Sequence, residues 1–169
     1  MLEIKKQSLS ETFSIYFDKR MLKILLLGSI SGFPWVLIGS SLSLWLKEDG
    51  LSRSTVGWAG LIFAVYAFNY LWAPLIDRIR IPYLTKKIGH RRGWIVLMQF
   101  IILVSLVLWS LINPTENLAL VITIGLLIAV ASATQDITVD ALRIEQINEN
   151  EGKSMAAGAA MAVVGWWSG

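Results

Sequence analysis

Residues 24–46 read ILLLGSISGFPWVLIGSSLSLWL, 23 residues without a charge. A helix needs about 20 predominantly apolar residues to cross bilayer hydrocarbon, so this stretch predicts a spanning helix. Outward from it the pattern repeats: residues 56–76 and 94–112 run for 21 and 19 residues without a charge. Residues 118–142 are a fourth candidate, although their second half carries Gln135, Asp136 and Asp140, and residues 154–169 begin a fifth apolar run. The segments between these runs are short and charged. The fold class expected is therefore an all-α polytopic membrane protein, with a lead-in over residues 1–23 and spans over residues 24–169.

Composition agrees. Of 169 residues 55% are apolar and 16% charged, against about 25% charged in an ordinary soluble domain. Cysteine is absent, and the single histidine, His90, sits among Lys86, Lys87, Arg91 and Arg92. Disulfides, thiolate chemistry and a clustered metal site have no raw material, so neither a metal nor another cofactor is expected. No nucleophile and base pair appears within the spans, and an enzyme is the least favoured class. The formal charge of +3 does not point to nucleic acid, because the basic residues flank apolar blocks, where lipid and topology account for them.

Basic residues also set the expected orientation. Five precede the first span (Lys5, Lys6, Lys19, Arg20, Lys23), six lie between 77 and 93, and Arg143 and Lys153 follow the fourth span. Only Lys47 and Arg53 lie on the other side. The positive-inside rule then puts the N-terminus in the cytoplasm, with the protein integral to a cell membrane. Tryptophans 45, 58, 72, 94 and 109 near the span ends fit the interfacial preference of that ring. Residues 1–20 mix apolar and charged side chains and read either as a helix on the membrane surface or as a partly ordered lead-in.

The chemistry concentrates in Ala133-Thr134-Gln135-Asp136-Ile137-Thr138-Val139-Asp140-Ala141-Leu142-Arg143. Asp136 and Asp140 are four apart and share a helix face, with Arg143 three beyond. An Asp near the bilayer centre costs about 2.5–3.5 kcal/mol on an insertion scale, so the placement requires a protein or water-filled interior. Asp136, deeper in the span, is the proton-coupling candidate; Asp140 and Arg143 fit a gate ion pair or a simple helix end. Gln135 fits a solute ligand or a helix-bridging amide. Ser31 and Gly32, beside Gly28 and Pro34, read either as close helix packing or as a kinked cavity wall, and Tyr66 and Asn69 share that ambiguity.

Three strings carry a resemblance: Leu71-Trp72-Ala73-Pro74-Leu75-Ile76-Asp77-Arg78, then Arg91-Arg92-Gly93-Trp94, then Ser132-Ala133-Thr134-Gln135-Asp136 with Asp140-Ala141, together with Ser31-Gly32-Phe33-Pro34. In these the sequence resembles the AmpG-type muropeptide permeases of the major facilitator superfamily, with the eukaryotic acetyl-CoA transporters as similar relatives. The resemblance implies the N-terminal part, about five helices, of a twelve-helix fold whose C-terminal half is missing here. It implies alternating access and proton-driven import of anhydromuropeptides, with solute and protons as partners. Asp77, Arg78, Arg91 and Arg92 resemble the superfamily's loop between helices two and three, which contributes to an inside gate. Ala73 replaces that signature's glycine and about ten extra residues separate Arg80 from Arg91. Asn69 stands where the permeases usually have a lysine, and Trp167 near where they tend to have an arginine, so less positive charge is available for a peptide carboxylate. The alternatives are a carrier of another amphipathic anion, such as an acyl-CoA-like molecule, and a membrane fragment that does not transport.

Overall fold

The computed structural model describes residues 9–147 and 151–169; Lys5 and Lys6 of the charge count lie outside the described residues. Among the described residues all regular structure is helical. Helix α1 (Leu9–Tyr16) occupies the lead-in, and α2 (Lys19–Val36) continues through a π-helical turn at Leu37–Leu42 into α3 (Ser43–Glu48). The first apolar run is thus a helix of 30 residues, Lys19–Glu48, extending past the uncharged stretch at both ends. Lys19, Lys23 and Lys47 are exposed there, and lysines near a span end can bury their stems while the ammonium reaches water. Pro34 supplies no amide hydrogen to the helix, and the widened turn begins three residues later.

Helix α4 (Arg53–Ala59) opens on Ser52, whose hydroxyl accepts the Thr55 amide at 3.1 Å and satisfies one of the donors left at a helix start. It passes through a 3₁₀ turn at Gly60–Phe63, α5 (Ala64–Phe68) and a second 3₁₀ turn at Asn69–Leu71. The continuous helix expected over 56–76 is interrupted at Trp72, two residues before Pro74, and resumes as α6 (Ala73–Arg78). The extra residues between Arg80 and Arg91 contain a short helix, α7 (Leu84–Ile88), entered at Tyr83 with φ 71° and left at Gly89 with φ 94°. Then follow α8 (His90–Ser110), α9 (Leu118–Glu145) and α10 (Gly152–Ser168). Four helices of the described residues are long and apolar enough to span, and α10, with 17 residues, follows them. This is an all-α polytopic membrane architecture.

Two compact units divide the chain. The first joins Met1–Gly32 to Arg143–Gly169 and has its core at Met21, Ile24, Ile147 and Ala157, with Ile15 and Tyr16 of α1 against it. Its helices α2 and α10 meet backbone to backbone. A Cβ on Gly28 would lie 2.5 Å from the Ala162 carbonyl oxygen, and one on Gly32 would fall on the Trp166 carbonyl. Lipid tails are as apolar as leucine, so spans associate through such close approach rather than through burial from water. Arg20 bridges the unit's polar end, 3.0 Å from Asp18 and 3.2 Å from Glu151.

The second unit, Phe33–Leu142, is built around Ile38, Leu42, Leu46, Ala59, Ile62, Met98, Ile102, Trp109, Val121 and Ile128. Trp109 clasps α8 to α9: its indole N–H donates to the Val121 carbonyl at 2.9 Å. Gly125 makes room for the ring, since a Cβ there would lie 3.0 Å from Trp109 Cζ2.

Candidate functional site

Two turns of α9 gather most of the buried polar groups of the second unit. Ser132, Gln135 and Thr138 are fully buried and Thr134 nearly so, in a helix whose preceding turns are aliphatic. Two of the hydroxyls are satisfied locally. Thr138 Oγ1 donates to the Thr134 carbonyl at 2.8 Å, and Thr134 Oγ1 accepts from the Trp72 indole at 3.0 Å. Gln135 differs: among the described residues neither its amide oxygen nor its amide nitrogen has a hydrogen-bond partner, and the buried hydroxyls of Ser132 and Tyr66 lack one as well. Tyr66 faces Ser132 without completing a hydrogen bond, and the Asp136 carboxyl lies close enough to act on its hydroxyl. Leaving a buried amide or hydroxyl without a partner costs about 1–3 kcal/mol, so four such atoms in one neighbourhood are an unmet demand for donors and acceptors.

Asp136 is half-buried and Asp140 exposed, which is the order of depth expected from their positions in the span. Both carboxyls, and Arg143, take part in interactions within the protein. Tyr66 and Asp136 are therefore brought together with Gln135's turn, and Ser132 joins them. Sequence reading passed over Ser132, although its place three residues before Gln135 and four before Asp136 puts it on their face. Asn69 is half-buried in the 3₁₀ turn that precedes the break at Trp72.

The other candidates are distributed differently. Ser31 and Gly32 belong to the first unit; Ser31 is buried, and Gly32 is occupied by the Trp166 main chain. At the end of α6, Asp77 accepts an ion-paired hydrogen bond from Arg91 at the start of α8, whose side chain is mostly buried, while Arg78 and Arg92 are exposed. His90 supports this corner through Nε2, which donates to the Ile76 carbonyl at 3.0 Å. The acid and one arginine of the loop motif thus meet across fourteen residues, with α7 accommodating the intervening chain. Among the described residues no group of three or more His, Asp or Glu side chains could hold a metal.

No family model matches the chain. Direct comparison finds relatives along most of its length. It is 34% identical over 152 residues, 90% of this chain, to a Rickettsia felis protein assigned as the transporter AmpG 4, and covers 36% of it. It is 32% identical over 157 residues, 93% of this chain, to the anhydromuropeptide permease of Escherichia coli, and covers 30% of that protein. A third relative, assigned as transporter AmpG 1 of Rickettsia bellii, is 37% identical over 126 residues. The chain thus spans about a third of the length of the curated relatives it matches. Several apolar spans and this identity lead to one assignment: over most of its length the chain is homologous to about a third of the AmpG-type transporters.

Proposed function

We propose that this chain forms the N-terminal part of a proton-coupled importer of anhydromuropeptides in the inner membrane, with its N-terminus in the cytoplasm. The observation that carries the reading is the group of unpartnered polar atoms on Gln135, Ser132 and Tyr66 beside Asp136. A sugar-peptide presents hydroxyls, amides and carboxylates, which are the complements of a carboxamide and two hydroxyls. In the proposed cycle Gln135 and Tyr66 engage solute, Asp136 loads and releases the proton, and Asp77 with Arg91 closes the cytoplasmic side. Arg78, Arg92, Asp140 and Arg143 supply further gate contacts. Rocking about a central site requires a second half, so transport is a property of a complete permease carrying this chain as one part.

The test is uptake of labelled anhydromuropeptide by cells lacking their own permease and supplied with such a complete protein. Asp136→Asn should abolish accumulation against a gradient while leaving solute exchange largely intact. Gln135→Leu should raise the half-saturating concentration about tenfold, the consequence of losing roughly 1.4 kcal/mol of hydrogen bonding. Gradient-driven accumulation by Asp136→Asn would move the coupling site elsewhere.

A further inference from the structure

The second unit contains an apolar cleft that meets the polar stretch of α9 at Thr134. It has a volume of about 280 Å³ and is walled by Trp72, Leu75 and Ile76, by Trp94, Met98 and Ile101, and by Leu127, Val130, Ala131 and Thr134. Thr134 is the one polar side chain in that wall, and its hydroxyl already accepts the Trp72 N–H. The wall residues of α8 and α9 each cover eight positions, seven rises or about 10 Å of helix at 1.5 Å per residue, so the space is elongated along the helices. An apolar cavity of about 150 Å³ holds a benzene ring, so this one accommodates a longer hydrocarbon.

Two exposed arginines stand in the segment that one wall residue holds. Trp94, a wall residue, donates its indole N–H to the Ile79 carbonyl at 3.0 Å and so ties the segment after α6 to the cleft. Arg78 and Arg80 flank Ile79, both are exposed, and neither has an ion pair among the described residues; the nearby Asp77 is engaged by Arg91. The result is a hydrocarbon-sized slot with one wall residue tied to the backbone between two exposed arginines, in a protein embedded in lipid. Guanidinium is the side-chain group best matched to phosphate oxygens.

We propose that the cleft holds one acyl chain of an anionic phospholipid from the leaflet next to the 77–93 loop, with the lipid phosphate on Arg78 and Arg80. A zwitterionic lipid would bring its own ammonium to the same arginines and gain less from them. The site shares no residue with Gln135, Ser132 and Tyr66, although Thr134 of the same stretch of α9 lines it and Arg78 also serves the proposed gate, so its test reads lipid contact and involves neither solute nor transport.

Bromine on an acyl chain quenches a tryptophan it touches, and Trp72 and Trp94 both line the slot. The full chain would be reconstituted in phosphatidylcholine vesicles in which an equal minor fraction of either phosphatidylglycerol or phosphatidylcholine carries brominated chains. Trp72→Phe with Trp94→Phe identifies the part of the quenching that arises in the cleft. That part should saturate at lower brominated phosphatidylglycerol than brominated phosphatidylcholine, by about fivefold for each arginine engaged. Arg78→Gln with Arg80→Gln should erase the difference while leaving overall helix content unchanged, and Ala131→Leu should reduce the cleft quenching for both lipids. Equal quenching by the two lipids overturns the headgroup assignment. No cleft quenching, the outcome expected if protein covers the slot, overturns the proposal, as does a phosphatidylglycerol preference that survives both glutamine substitutions.

Discussion

Gly32→Ala is the smallest change that tests how α2 meets α10. The added methyl would fall on the carbonyl of Trp166, which is main chain and has no rotamer to give way. The helices must separate, by about 1–2 Å within the usual 8–10 Å range of interaxial distances. Overpacking of this kind costs about 1–3 kcal/mol, and the better helix propensity of alanine returns up to about 1 kcal/mol. A net loss on the order of 1–2 kcal/mol weakens the closed contact about 5- to 30-fold. The structure supplies the reporter, because Ser29 Oγ and Ser168 Oγ lie 3.1 Å apart beside this contact and the chain has no cysteine of its own. A Ser29→Cys, Ser168→Cys pair should form a disulfide readily under mild oxidation in membranes, and adding Gly32→Ala should slow it by that factor. Gly57→Ala, where a Cβ would meet nothing within 4 Å, is the control and should leave the rate unchanged. Cross-linking of the Gly32→Ala protein at the parental rate would refute the close contact.

Other expectations follow from single contacts. In a complete permease carrying this chain, Asp77→Arg should lower uptake severalfold and the added exchange Arg91→Asp should restore much of it; failure of the swap would deny the ion pair a gating role. Impermeant thiol reagents applied to intact cells should label Asn117→Cys and spare Lys86→Cys, and the opposite pattern would invert the proposed orientation. Asp18 accepts the Arg20 backbone amide at 2.9 Å and then its guanidinium, and these hold its carboxyl below the ordinary value of 3.8. A depressed acid stabilises the fold above its unfolded value and ceases to do so as pH falls through its folded value. The Arg20 amide resonance in micelles should therefore keep its hydrogen-bonded position at pH 3.8 and lose it only below; loss well above pH 3.8 would contradict the cap.

Hydropathy made the spans legible because charge is what the bilayer excludes, and 24–46, 56–76, 94–112 and 118–142 each contain the core of an observed helix. The internal breaks were not legible. A proline announces a missing donor, but whether the helix answers with a π turn, as after Pro34, or with a 3₁₀ turn and a break, as before Pro74, depends on neighbouring packing. Helix α7 was hidden for a different reason: five residues with two lysines carry too little periodicity to distinguish a helix from a loop. At the polar turn, Gln135, Asp136 and Tyr66 stood out as costly residues in apolar surroundings, whereas Ser132 did not, since a lone serine in a span is cheap until its surroundings are known. Gly28 and Gly32 left packing and cavity readings open, and only the path of α10 shows what stands over them.

The Trp109 clasp bears on how the protein is made. Helix α8 is predominantly apolar after its basic first turn, whereas α9 delivers its aliphatic half first and its amide and carboxyls last. When Val121 has emerged, Trp109 can already bridge α8 to α9 across their short connection, and Gly125 leaves the ring its seat. A helical hairpin closed at that end would couple the third span's affinity for lipid to entry of the fourth while Gln135 and Asp136 still follow behind in the chain. On that account, insertion of the most polar span would draw on an indole at the opposite end of the hairpin from the polar residues themselves.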